Sequence, residues 1–229
     1  MRFVVTGANR GIGLELARQI VARGDEADAG ARDPEHAEQL LGLARAHPPR
    51  LRVHALDVSD DPSVRRFAAA LAPGAVDVVI NNAGVIGKWQ RVEDFDAQDA
   101  IHTFDVNTLG AIRVSVALLD RVRASSGKKL VAITSGMGSI GDNSTGGAWA
   151  YRMSKAALNM AFKNFALELR RDGISCAVIN PGWVKTEMGG AGATTPVEES
   201  GEDILRVIDR LSLDESGSFF DRKGTKFEW

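Results

Sequence analysis

The sequence predicts an α/β fold, a single doubly wound Rossmann domain spanning 1–229, with about seven parallel strands and helices on both faces of the sheet. Three observations predict it. Short β-branched runs alternate with helical stripes about six times, and such alternation implies right-handed crossovers and a covered parallel sheet. A glycine-rich turn separates the first run from the first stripe. The 229 residues are 44% hydrophobic and 25% charged, which supports a full core and excludes a disordered chain or a coiled coil.

The elements follow in order. Phe3 to Thr6 reads as a short buried strand. Ile12, Leu16, Ile20 and Val21 then form one helical stripe between Gly11 and Arg23, ending near Gly24. Asp25 to Ala31 takes the place of the second strand, although Asp28 and Gly30 make it a poor one by composition. Asp33 is placed to cap a helix that Pro34 opens and that runs to about Ala46. Leu51, Val53, Ala55 and Leu56 mark a third strand. Asp61-Pro62 opens a helix with Val64, Phe67, Ala68 and Leu71 on one face. Val76, Val78, Val79 and Ile80 form a fourth strand that ends at Asn81.

A long helix is expected from about Ala97 to Arg123, and a fifth strand from Leu130 to Thr134. A glycine- and serine-rich loop leads to a second long helix, about Trp149 to Arg171, and a sixth strand, Ile174 to Ile179. Gly189 to Gly201 reads as a mobile loop. A helix near Ile204 to Leu211 and a strand at Ser218 to Phe220 end the order. Ligands in such sheets bind at the carboxyl ends of the strands, so the loops after Thr6, Leu56, Ile80, Thr134 and Ile179 are expected to hold the chemistry.

The composition bounds the partners. Lys plus Arg total 28 against 30 for Asp plus Glu, a formal charge of −2, which argues against nucleic acid and against a polybasic membrane patch. The single cysteine excludes an internal disulfide and fits a reducing cytoplasm. No apolar run is long enough to insert in a membrane, and the apolar start Phe3-Val4-Val5 is too short for a signal peptide. His36, His47, His54 and His102 lack ligand spacing and read as surface or packing residues, so no metal is expected. Cys176 sits in a buried-strand pattern and reads as an inert small hydrophobe. Trp89, Met137, Trp149, Trp183 and Met188 fall in loops near the expected site. They either line an apolar substrate pocket or cover the sheet ends.

Thr6-Gly7-Ala8-Asn9-Arg10-Gly11-Ile12-Gly13 lies between a strand and a helix. Glycines there allow a sharp turn, close approach of a pyrophosphate and tight helix packing, and the free N–H groups of the helix start favour an anion. No Gly-Lys-Ser/Thr follows, so a P-loop is excluded. Four more segments stand in order: Asp57-Val58, Asn81-Asn82-Ala83-Gly84, Tyr151-Arg152-Met153-Ser154-Lys155, and Pro181-Gly182 with Thr186. With these the chain resembles the short-chain dehydrogenase/reductase family over nearly its whole length. The helix segment through Asn159-Met160 and the ending Gly224-Thr225-Lys226-Phe227-Glu228-Trp229 are most similar to its C-factor/Sniffer-like carbonyl reductase branch. The resemblance implies a dinucleotide held by Gly7, Asn9, Arg10, Gly11, Ile12 and Gly13, by Asp57, Val58, Asn82, Ala83 and Gly84, and by Tyr151, Lys155, Pro181, Gly182, Val184 and Thr186.

Tyr151 is the only tyrosine, and Lys155 lies one helical turn beyond it. Their stripe continues through Leu158, Phe162, Phe165 and Leu169 and must face the interior, where a Tyr and a Lys are costly unless paired or facing a polar ligand. A phenol with an ordinary pKa of about 10 is brought toward working pH by a nearby ammonium. Tyr151 is then the expected acid/base at a carbonyl or alcohol oxygen, with Lys155 tuning it and holding the nicotinamide ribose. Ser135 ends the fifth strand and matches the family's catalytic serine. Its separation from Tyr151 is a few residues wider than usual, which leaves Ser139 as a second candidate. Asn107 shares an inward stripe with Phe104, Ala111, Val114 and Leu118. Mid-helix, with Gly110 after it, it suggests a local break that frees a carbonyl for water. The matching family Asn supports a water-linked proton relay, and a buried Asn that satisfies a loop is the competing account.

Cofactor choice rests on the end of the second strand. An acid there hydrogen-bonds the ribose 2′-OH, and an Arg accepts the 2′-phosphate instead. The resemblance places Ala31 at the acid position, followed by Arg32. Arg10 projects from the glycine loop toward the same region, so NADP(H) is expected. The expected function is an NADP(H)-dependent oxidoreductase that interconverts a small-molecule carbonyl and a secondary alcohol. The alternative is a C-factor-like dinucleotide-binding developmental signalling protein with incidental catalysis. The short region after Pro181 argues against an epimerase or dehydratase of the extended branch. Met153, Ala157, Met160 and Ala161 give the late helix a second apolar face, and the family pairs this helix across a two-fold axis, so a homodimer or homotetramer is expected.

Overall fold

The structure, a computed structural model, describes residues 1–229. Seven strands form one all-parallel sheet: β1 (Arg2–Thr6), β2 (Glu26–Ala31), β3 (Leu51–Ala55), β4 (Val78–Asn81), β5 (Lys129–Ile133), β6 (Ser175–Asn180) and β7 (Ser218–Asp221). Their order is β3-β2-β1-β4-β5-β6-β7, so the direction of winding reverses between β1 and β4. Helices α1 (Gly11–Ala22), α2 (Glu38–Ala46), α3 (Asp61–Ala70), α4 (Ala97–Phe104), α5 (Gly110–Ala117), α6 (Leu119–Arg123), α7 (Trp149–Glu168) and α8 (Val197–Arg210) cover it. Alternate strand residues feed opposite cores. Phe3 and Val5 pack with Leu16, Ile20, Ile204 and Ile208 on one face. Val4 and Val79 pack with Val114, Leu118, Leu158 and Phe162 on the other. No helix is long and apolar enough to cross a membrane.

The poor second strand is an interior one, paired along its length with β1 and β3. Asp28 is fully buried but accepts from Arg2 Nε at 2.8 Å, Arg52 Nε at 2.9 Å and His54 Nε2 at 2.8 Å. Gly30 is required by space, because a Cβ there would fall 2.6 Å from Leu56 Cδ2. The composition looked wrong because both residues answer to neighbours distant in sequence.

Other boundaries shift. Asp33 does not cap a helix: it makes no capping bond and instead pairs with His36 Nδ1 at 2.6 Å. A 3-10 turn, Pro34–His36, precedes α2 instead of one continuous helix. The long helix from Ala97 breaks as the Asn107–Gly110 pair suggested, through a π-helical turn at Asp105–Leu109. The wider turn changes the phase, so Thr103 takes the buried position and Phe104, expected inside, is exposed. The second long helix ends at Glu168, with a 3-10 turn at Arg170–Asp172. The loop expected through Gly201 stops at Pro196. Val197 opens α8, and a bridge between Val184 and Thr195 ties the loop's base.

Burial by itself raises the Asp28 carboxyl, but the hydrogen bonds from His54, Arg52 and Arg2 outweigh it and hold the group well below the usual carboxylate range. A depressed folded pKa stabilises above the ordinary value of 3.8, and that stability is lost as pH falls below it. Thermal unfolding followed from pH 6 down to about pH 2 should show this acid loss. Asp28→Asn should flatten it and lower stability at pH 7 by roughly 2–4 kcal/mol, since Arg2 and Arg52 lose their shared partner.

Candidate active site

The site lies where the winding reverses, at the carboxyl ends of β1, β4, β5 and β6. Thr6 joins the first two. Its hydroxyl accepts from the Asn82 and Ala83 N–H groups, both at 3.0 Å, and Asn82 Nδ2 donates back to the Thr6 carbonyl at 2.9 Å. Gly7 and Gly11 take positive φ of 65° and 55°. Gly13 admits no side chain, because a Cβ would fall 2.3 Å from the Gly7 carbonyl oxygen. Arg10 occupies the N-cap of α1 with extended backbone and makes no side-chain capping bond, so the amides of Gly11, Ile12 and Gly13 have no side-chain partner. This cradle fits a pyrophosphate.

The remaining expected cofactor residues border the same cleft. A methyl on Gly11 would sit 3.3 Å from Thr186 Cγ2, and one on Gly84 would sit 3.1 Å from Asn107 Oδ1 and 3.6 Å from Lys155 Nζ. Pro181 and Gly182 follow β6, where the Pro181 carbonyl accepts from Ser200. Val184 is buried beside them. Asp57 follows β3. Burial would raise its carboxyl, but the hydrogen bonds from Ser59 and the charge of Arg32 lower it, while Val58 turns into the core against Gly110. Asn9 and Arg32 are exposed, and Arg32 has no ion-pair or hydrogen-bond partner. Arg10 does not join Arg32 as expected. It pairs instead with Glu187 in the loop after β6.

Ser135 caps a 3-10 turn, Gly136–Gly138, accepting from Met137 N at 3.1 Å. Its hydroxyl faces the Tyr151 phenol and favours its ionised form. Ser139, the second candidate, is buried and accepts from Asp142 N at 3.1 Å, a turn contact. Lys155 is 4% exposed, with Nζ 5.7 Å from the Tyr151 ring centroid and donating to the Ile133 carbonyl at 2.9 Å. The interior stripe continues as expected through Leu158, Phe162 and Leu169, with Phe165 half-buried. Burial pushes the phenol up while the Ser135 hydroxyl lowers it, and burial pushes the Lys155 ammonium down to about 8.

Asn107, buried in the π turn, clamps the loop after β4. Its Oδ1 accepts from Val85 N at 2.8 Å, and its Nδ2 donates to the Val85 carbonyl and to Ser154 Oγ, both at 2.9 Å. Ser154 was missed in the sequence. It is fully buried, bonds the Tyr151 carbonyl, and joins Asn107 to the helix of Tyr151 and Lys155. Its only sequence signal is a small polar residue beside a buried lysine. Of the five large apolar residues expected near the site, Trp89, Trp149, Trp183 and Met188 are exposed and Met137 is half-buried. Phe95 packs edge-on to Trp149 at 5.9 Å, and Trp89 approaches Gly147, so the segment after β4 borders the loop leading to Tyr151.

Comparison with known proteins accords with this geometry. Residues 2–195 match the short chain dehydrogenase family, and the chain belongs to it. It is 47% identical over 166 residues to the C-signal of Myxococcus xanthus, covering 72% of this chain and 100% of that protein. The carbonyl reductase Sniffer of D. melanogaster superposes with a TM-score of 0.95 at 29% identity, covering 100% of this chain and 99% of that one. The NADPH-bound carbonyl reductase from chicken fatty liver superposes at 0.94 with 33% identity, covering 100% and 98%.

The buried ammonium has a stability consequence. With its folded value near 8 and its ordinary value at 10.5, Lys155 opposes folding at neutral pH and relents as pH rises between those values. Lys155→Met should therefore raise stability at pH 7 by up to about 3 kcal/mol, with the gain shrinking toward pH 10, as measured by denaturant unfolding.

Proposed function

We propose that this short chain dehydrogenase is an NADP(H)-dependent oxidoreductase that interconverts a carbonyl and a secondary alcohol, with Tyr151 as its acid/base. The observation that carries the reading is the meeting of Ser135 and Lys155 at the one phenol of the chain, beside Gly84 and the anion cradle. The bound nicotinamide would supply or accept the hydride. The residues of the chain do the rest. The phenol, pushed further up by burial, is protonated at neutral pH, the form that donates to a carbonyl oxygen as charge develops on it. Ser135 lies beside the phenol to donate to the same oxygen. Lys155, fixed by the Ile133 carbonyl, reaches the Gly84 side of the cleft, where it would hold the ribose. Asn107 holds the Val85 backbone and, through Ser154, the phenol's own helix, which supports a positioning part beside any water relay.

The absence of an acid at Ala31 and the free guanidinium of Arg32 support the preference for a 2′-phosphate. The exposed tryptophans favour an apolar small-molecule substrate. Met153 at 44%, Met160 at 62% and Leu167 at 65% exposure leave one face of α7 open, which supports a homodimer or homotetramer. The identity to the C-signal favours a second reading, a signalling protein whose turnover is incidental. Assay of a panel of carbonyls and alcohols with both nicotinamide cofactors separates the two, since a binding protein needs no phenol–ammonium pair.

Tyr151→Phe keeps the ring and removes one hydroxyl. Turnover should fall about 10²–10⁴-fold while NADPH still binds, as read by nicotinamide absorbance and fluorescence titration. Arg32→Ala should weaken NADPH about tenfold or more and leave NADH nearly unchanged, and equal losses would refute the phosphate assignment. Sedimentation at micromolar concentration should give a dimer or tetramer mass. Met160→Glu should shift it toward the monomer.

A further inference from the structure

Tyr151, Lys155 and Asn159 stand at successive turns on one face of α7. The first two have assigned parts, and Asn159 has none. It is 3% exposed, and an amide at such a position must be satisfied. Its Oδ1 accepts from the Thr134 hydroxyl at 2.6 Å, and its Nδ2 donates to the Gly138 carbonyl at 3.2 Å. Thr134 immediately precedes Ser135. Gly138 closes the turn that Ser135 caps, its N–H donating to the Ser135 carbonyl at 2.9 Å. One side-chain amide therefore grips both flanks of the segment that carries the Ser135 hydroxyl. From the opposite side Phe227 closes over Gly136, where a methyl would fall 3.3 Å from its ring.

We propose that Asn159 is a positioning residue that fixes the Ser135 hydroxyl at the Tyr151 phenol by tying both ends of the Ser135 turn to the helix that bears the phenol. The inference rests on the reading of Ser135 and Tyr151 as the reacting groups. It has a geometric reason. Ser135 comes from β5 and Tyr151 from α7, and the loop between them, residues 141–148, is largely exposed and cannot hold their separation. Hydrogen bonds weaken steeply with angle and distance, so two groups that must share one bond need a common frame. Asn159 makes that frame the helix itself. It was legible in the sequence only as part of a resemblance, because its partners lie more than twenty residues away.

Tyr151 is the only tyrosine, so phenolate absorbance titrates it directly in the protein without substrate or cofactor. Lys155, the charged group facing the ring, is unchanged in every variant. The Ser135 hydroxyl favours the phenolate, so its loss moves the titration to higher pH. Ser135→Ala and Asn159→Ala should each raise the titration midpoint by about 0.5–1 pH unit, and the double variant should go no higher than Ser135→Ala. Thr134→Val removes one of the two ties at constant volume. It should move the midpoint less in the same direction, and it carries the test if Asn159→Ala does not fold. With benzaldehyde as probe and NADPH as reductant, Asn159→Ala should lower kcat by about ten- to a hundredfold, with little change in the KM for NADPH. Added to Ser135→Ala, it should lower kcat no further. An unmoved titration in Asn159→Ala, or additive losses, overturns the positioning assignment and leaves the catalytic reading intact. If Ser135→Ala changes neither titration nor turnover, the reading of Ser135 fails, and the proposal falls with it.

Discussion

A parallel sheet covered on both faces leaves polar chemistry nowhere to go except the strand ends. Val4 and Val79 on one side of the sheet, and Phe3 and Val5 on the other, are fully buried, so no side chain from mid-strand can reach a water-soluble ligand. The winding reverses between β1 and β4, and there the ends are not covered by crossovers. Thr6 and Asn82 join those two ends by hydrogen bonds, and everything assigned to the site stands along the line they begin. The glycine cradle, Gly84 and Ser135 follow the ends of β1, β4 and β5, and Asn107 and Lys155 reach them from the helices packed beside those ends.

Two buried charges show how the fold separates stability from chemistry. Asp28 and Lys155 are both nearly inaccessible to solvent. Asp28, in mid-strand, receives Arg2, Arg52 and His54 and is held as a carboxylate. Lys155, on α7 and reaching the end of β5, has one backbone carbonyl and no acidic partner, so burial loosens its proton. A charge that only completes a core is compensated fully, because any deficit is a standing loss of stability. A charge left partly compensated beside an anion cradle is the arrangement expected of a functional group. The raised phenol of Tyr151 belongs with it, since desolvation acts on both groups at once.

The fold class, the strand count and the glycine loop were legible because their signals are local. β-branched runs mark buried strands, and a positive φ at Gly7 and Gly11 demands glycine. The break at Asn107 was legible for the same reason, as a weak helix residue followed by glycine. The second strand was harder to read, because Asp28 is excused by Arg2, Arg52 and His54 from other strands and Gly30 by Leu56. The inward face of Phe104 was misjudged because a π turn shifts helical phase by an amount no single-residue preference reveals. The capping part expected of Asp33 went instead to a neighbouring imidazole.

The sequence by itself determined the alternation of elements, the anion cradle and the spacing of Tyr151 and Lys155, since each depends on a few adjacent residues and the fixed period of a helix or strand. The tertiary structure decided which serine meets the phenol, which way Arg10 turns, and how the phenol and ammonium ionise. Ser135 and Ser139 are chemically alike and close in the chain; only the packing of β5 against α7 puts one at Tyr151 and the other in a turn. Arg10 follows whichever carboxylate the loop after β6 brings within reach, here Glu187. The pKa values of Tyr151 and Lys155 are set by solvent exclusion, which is a property of the whole surrounding core and not of any segment of the chain.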